Sequence, residues 1–272
     1  MVDYTRVSAS FRDLVRRYDG SKLLLDSSVV NLPPRGEASI MGDLKRGSIT
    51  DETRQRLTDS LVWLDTLIEI SDLDHVFVPG DTANLLGILS ERARNGSRFI
   101  EEETVNKYLE KLAILVRRLN SKPLGERRSP LRTSVREAIS SQTGIEYLRH
   151  LNREAIAVAT DIIYENYFCG GRRLITFSNN NQVYEAIEMA IYCLAKAAPE
   201  EWTPKNRIII HSQSPHTLTW LDQPTLDEER DISAILRSKK IRESRGVQAI
   251  IKRLRTFEGF GISAERAASA QA

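Results

Sequence analysis

Four short apolar runs, each bounded by polar or turn-forming residues and set between helix-period stretches, constrain this chain more than anything else in it. They are Lys22-Leu23-Leu24-Leu25-Asp26, His75-Val76-Phe77-Val78-Pro79, Arg173-Leu174-Ile175-Thr176-Phe177 and Arg207 to His211. Continuous apolar runs of this length suit strands buried on both faces. The stretches between them repeat apolar residues every three or four positions. Phe11 to Tyr18 carries Phe11, Leu14 and Val15; Asp51 to about Ile70 carries Leu57, Leu61, Leu64, Leu67 and Ile68; Glu101 to Leu119 carries Val105, Leu109, Leu112, Leu115 and Val116. Further helices are predicted from Thr82 through Leu89, from Gly144 to Phe168, and through Val183, Ile187 and Ile191. Thr50 is the expected N-cap of the second of these helices. Residues 35–50, with three glycines, read as an irregular connection, and Ser121 to Pro130 as a loop. Strands alternating with helices predict an α/β chain with a mainly parallel central sheet covered on both faces.

With 41% hydrophobic and 28% charged residues in a chain of 272, the composition supplies a core and excludes a fibre or a disordered chain. No apolar run approaches the roughly 20 residues of a membrane-spanning helix, so no membrane is expected as partner. Residues 1–20 mix Asp3, Arg6, Arg12, Asp13, Arg16 and Arg17 among apolar positions, unlike a signal peptide. The expected location is therefore intracellular and reducing, cytoplasmic by default. Cys169 and Cys193 have no CxxC partner and read as small buried hydrophobes.

In an open parallel sheet, ligands gather beyond the carboxyl ends of the strands. The predicted strands end in Asp26-Ser27-Ser28, in Gly80-Asp81-Thr82 with Asn84 following, and in Thr176-Phe177-Ser178-Asn179-Asn180. Glu154 and Asp161 lie seven residues apart, on one face of a helix. Oxygens of this kind suit a hard cation such as Mg²⁺, or Mn²⁺. Each acid also has a structural reading. Asp26 is equally a turn or cap acid, Asp81 and Asn179 are helix caps, and Glu154 is a surface partner of Arg153 or His150.

The order of these elements over residues 22–212 resembles the PIN-like nuclease family. Lys22 to Asp26 looks like that family's first strand and its metal-binding Asp. Phe77-Val78-Pro79 followed by Asp81-Thr82-Ala83-Asn84-Leu85 looks like the segment that normally supplies a Glu, here Asn84, with Asp81 the nearest acid. Glu154-Ala155-Ile156-Ala157-Val158-Ala159 is similar to its acid-led helix, and Leu174 to Asn179 to its strand ending in Thr, with Ser178, Asn179 or Asn180 where the last acid belongs. The resemblance implies a PIN-like three-layer α/β/α domain, set at residues 1–213; the change of composition beyond it reads as a linker and basic helical extension over 214–272. It implies a Mg²⁺- or Mn²⁺-dependent endoribonuclease in which Asp26, Asp81, Glu154 and Asp161 are catalytic and the first three hold the metal, which would activate water against a phosphodiester. The alternative is a catalytically degenerate module that binds RNA or a protein partner. A second resemblance, to haloacid-dehalogenase-like phosphotransferases, rests on Leu25-Asp26 and Ile175-Thr176 and fails at Ser28, where that family needs an acid.

Net charge is a formal +2, but it is unevenly spread. Between residues 237 and 255 stand Arg237, Lys239, Lys240, Arg242, Arg245, Lys252, Arg253 and Arg255 against one acid, Glu243, which leaves the body of the chain net acidic. Interleaved Ile235, Leu236, Val247, Ile250, Ile251 and Leu254 have helical spacing. Two readings are open: a polyanion-binding arm that follows RNA phosphates, or a solvated face of helices packed on the domain.

Overall fold

In the computed structural model the described residues are 4–17, 22–30, 40–47, 49–78, 82–98, 100, 102–121, 130–143, 148–167, 174–177, 180–197, 208–211 and 228–257. They form, in chain order, α1 (Tyr4–Arg17), β1 (Lys22–Leu25), α2 (Ser27–Val30), α3 (Ile40–Arg46), α4 (Asp51–Ser71), β2 (Val76–Phe77), α5 (Thr82–Ser97), α6 (Glu103–Asn120), α7 (Pro130–Ser140), α8 (Arg153–Tyr167), β3 (Leu174–Phe177), α9 (Asn181–Ala197), β4 (Ile208–His211), α10 (Glu228–Arg237), α11 (Lys239–Arg242) and α12 (Arg245–Phe257).

The expected three-layer α/β/α PIN-like fold with a mainly parallel central sheet is corrected here, because the described chain is mostly helical. Its strands supply only four, two, four and four residues. The helices reach 21 residues in α4, 18 in α6 and 17 in α9. Helices this long bury most of their apolar stripe on one another: α4 on α6, α3 on α5, α5 on α6, and α8 on α7 and α9. The reason is in the sequence spacing. Four-residue runs bury few side chains, whereas each long stretch repeats its apolar positions over several turns and needs another helix to cover them.

What sheet there is runs in the order β2-β1-β3-β4 with all pairings parallel. Side chains alternate along β1, so Leu23 and Leu25 enter one apolar cluster and Leu24 the other. The first cluster joins α1 to α6 and contains Phe11, Trp63 and Tyr108; Trp63 Nε1 donates to Val29 O at 2.8 Å. The second joins α7, α8, α9, α10, α11 and α12.

Local signals account for several helix boundaries. Thr50 caps α4, its side chain accepting from Thr53 N at 3.1 Å, as the sequence predicts. α8 begins at Arg153, later than the expected Gly144, because Asn152 Oδ1 accepts from Ala155 N at 2.8 Å and closes the first turn. Asn180 is the residue that bonds the first turn of α9, through Gln182 N at 3.0 Å; Asn179 lies outside the described residues. The connection expected over 35–50 contains α3, which presses on α5 at Gly96: a Cβ there would collide with the carbonyl oxygens of Leu44 and Lys45. No helix among the described residues is long and apolar enough to cross a membrane.

Candidate functional site

α8 is bonded to both ends of β1. At its start, Glu154 faces the end of β1; near its finish, Glu165 pairs with Lys22 at the beginning of β1. The dimensions agree. Eleven helical residues rise about 16 Å, and the five-residue step from Lys22 to Ser27 spans about 16 Å in extended form.

Glu154 is 4% exposed and holds three donors. Its Oε1 accepts from Ser27 N at 2.7 Å and from Thr82 Oγ1 at 2.9 Å, and its Oε2 accepts from Ser27 Oγ at 2.5 Å. One carboxylate thus ties the exit of β1, the first turn of α5 and the first turn of α8 together, with the positive end of the α8 dipole beside it. Asp26, also buried, directs Oδ1 at Val29 N at 3.3 Å, the geometry of an N-cap for α2. The structure therefore brings Asp26 and Glu154 to the same edge, each engaged with backbone or hydroxyl donors.

Asp161 shares Glu154's face of α8 but stands elsewhere. Seven residues rise about 10 Å along the helix, and there Asp161 accepts from Arg132 Nε of α7 at 2.6 Å, the side chains being 0% and 7% exposed. Arg132 Nη2 is buried without a hydrogen-bond partner among the described residues. Asp81, Ser178 and Asn179 lie outside the described residues. Asn84 is exposed and lines a groove of about 590 Å³ with Leu85, Ile88, Glu91, Arg153 and Glu154.

Mg²⁺ or Mn²⁺ needs carboxylate lone pairs aimed at one point. Glu154 uses three of its roughly four acceptor positions on N–H and O–H groups, and among the described residues no three His, Cys, Asp or Glu side chains could hold a metal ion together. The described donor set does not fit such a cation.

Sequence reasoning misses the groups that decide this. Ser27 and Thr82 read in the sequence only as turn residues, yet they supply the donors that saturate Glu154. Arg132 and Lys22 carry no signal at all, since nothing in their spacing pairs them with α8. Cys193 is a free, buried thiol, and burial pushes its pKa up, so it is chemically inert packing.

The C-terminal helices form the other candidate surface. Ile235, Ile241, Val247, Ile250, Ile251 and Leu254 are at most 5% exposed and belong to the second apolar cluster, with α10 and α12 packed on α9 and α12 also on α7. Arg237, Lys239, Lys240, Arg242, Arg245, Lys252, Arg253 and Arg255 are all exposed. The segment is docked through its apolar face, and all eight cations between residues 237 and 255 are exposed. Some are tethered: Lys240 to Glu185 at 3.4 Å, Arg242 to Glu243 at 3.8 Å, and Arg255 Nη2 to Lys196 O at 2.7 Å.

Comparison with family models, with curated proteins and with solved structures finds no match to this chain.

Proposed function

We propose that this chain is a single-stranded RNA-binding module that holds the strand on the basic face running from Arg237 through α12, and performs no metal-centred step. The observation that carries the reading is the division of the C-terminal segment: six apolar side chains anchored in the core and, between residues 237 and 255, eight basic side chains exposed beside a single acid, Glu243. Cations held on a docked scaffold neutralise phosphates without the entropic cost of ordering a flexible arm, and the counterions released provide the driving force. The ridge is broken into helices of ten, four and thirteen residues, and α12 is flanked by α7 and α9. A recognition helix must stand clear of its domain to enter a duplex major groove; a low, bent ridge suits a flexible single strand that bends to follow it.

The test is fluorescence anisotropy of a labelled RNA oligonucleotide titrated with the full chain at several salt concentrations. Wild-type affinity should fall steeply with salt. The variant Arg245→Glu with Lys252→Glu should bind more weakly and with a shallower dependence, by about 0.7 in log–log slope for each phosphate no longer neutralised. Equal binding by both proteins would overturn the reading. Cleavage of the RNA with Mn²⁺, abolished by EDTA and by Asp26→Asn, would overturn its non-catalytic part in favour of a metal-dependent endoribonuclease.

A further inference from the structure

On the flank of the basic ridge, α12 packs on α7 and on residues that follow it. In the first turn of α12 Gly246 seats tightly, since a Cβ there would stand 3.0 Å from Leu148 Cδ1 and 3.3 Å from Gln142 Cβ. One turn further along α12 lies a groove of about 360 Å³, whose lining includes Ala138, Ala249, Ser134, Glu137, Gln142 and Arg253. Small side chains on facing helices create the space, and exposed Glu137 sets its chemistry. An acid on the border of a cationic surface repels phosphate; what it accepts is a group that donates hydrogen bonds.

Resting on the RNA-binding reading above, we propose that this groove is a subsite for one unstacked guanine of the bound strand. The two alanines in the lining offer apolar contact to the base. The Glu137 carboxylate accepts from the guanine N1–H and N2–H₂ pair, which no other RNA base offers in that arrangement, and Arg253 stands at the rim where the neighbouring phosphate passes. Single-stranded RNA is read in this way, by splaying a base out of the stack and bonding its Watson–Crick edge. Arg245 and Lys252, about 10 Å apart along α12, continue the phosphate track beside the groove.

The experiment compares a guanine-containing oligoribonucleotide with oligouridine of equal length, using the full chain. Wild type should prefer the guanine-containing strand by about tenfold, the range of one bidentate contact. Glu137→Gln, a conservative change on an exposed helix face, should erase that preference and leave oligouridine affinity within about twofold. Ala249→Trp should fill the groove and have the same effect, with circular dichroism confirming that the helices remain. A preference absent from wild type, or one that survives both substitutions, overturns the subsite while leaving the basic-ridge reading standing. Failure of both oligonucleotides to bind wild type overturns both readings.

Discussion

Replacing Asp161 by Asn tests whether this acid is a structural counterion or a member of a reactive site. Its carboxylate is fully buried 2.6 Å from Arg132 Nε, and the guanidinium is only 7% exposed. Removing one charge strands the other in the core, which costs about 3–5 kcal/mol in comparable buried pairs. Against a total stability of roughly 5–15 kcal/mol this is severe, and at about 2–4 °C per kcal/mol it should lower the melting temperature by about 6–20 °C. Arg132→Met should be destabilising for the mirror-image reason. The double variant Arg132→Met with Asp161→Leu removes both charges and fills their volume, so it should cost far less than the two single changes together and fall within about 1 kcal/mol of wild type. Urea unfolding is the assay, followed by far-ultraviolet circular dichroism and by tryptophan fluorescence. Trp63 sits in the apolar cluster on the other side of β1, so with Trp202 and Trp220 replaced by Phe, coincident curves also check that both clusters melt together. Additive costs in the cycle, or a loss below about 1 kcal/mol for Asp161→Asn, would refute the assignment. RNA affinity should be unchanged in every variant that remains folded.

Glu154→Ala abandons three donors at one buried point and should cost about 3 kcal/mol or more, while Thr82→Ala, which removes one of the three, should cost about 1 kcal/mol; chemical denaturation reads both, and equal effects would contradict the knot drawn around this carboxylate. Gly96→Ala should destabilise by about 3 kcal/mol, because the new methyl meets backbone carbonyls of α3 that have no rotamer to retreat into. Gly87→Ala, whose Cβ would rest 3.8 Å from Val116 Cγ1, should instead stabilise α5 by about 0.5–1 kcal/mol. Burial raises the Tyr108 phenol above its ordinary 10.0, so the unfolded chain ionises first as pH rises. The folded state then retains more protons and stability falls above about pH 10, by up to 1.4 kcal/mol per pH unit for this group. Tyr108→Phe should make the alkaline limb of the melting-temperature profile shallower.

Period and capping in the sequence carry the secondary structure well, since they are local quantities. The three leucines of β1 announce a strand covered on both faces, and each face has its own cluster. Thr50 announces the start of α4. What is not local stays unread. Leucine and isoleucine periodicity marks a helix without saying whether a sheet or another helix covers it, and here helices cover most of it, which is why four short strands weigh less in the architecture than their place in the sequence suggests. The same limit governs the acids. A seven-residue spacing correctly places Glu154 and Asp161 on one face of α8, but a face extends the whole length of a helix, and the rise between them carries Asp161 from the sheet edge into the core.

α8 also shows why buried charge in this protein belongs to architecture. Three acids on its inward face, Glu154, Asp161 and Glu165, are each at most 4% exposed, and each meets a different partner: Ser27 with Thr82, Arg132, and Lys22. An apolar helix face packed on a short strand can slide by a turn at little loss, because one branched side chain fits nearly as well as the next. Charges cannot slide, since a shift of one turn, about 5.4 Å, would leave every one of them buried and unpaired. The acids therefore set the register of α8 against β1 from both ends. Between residues 237 and 255 the division is the reverse: the apolar face is taken up by docking, and eight cations face solvent beside one acid, Glu243.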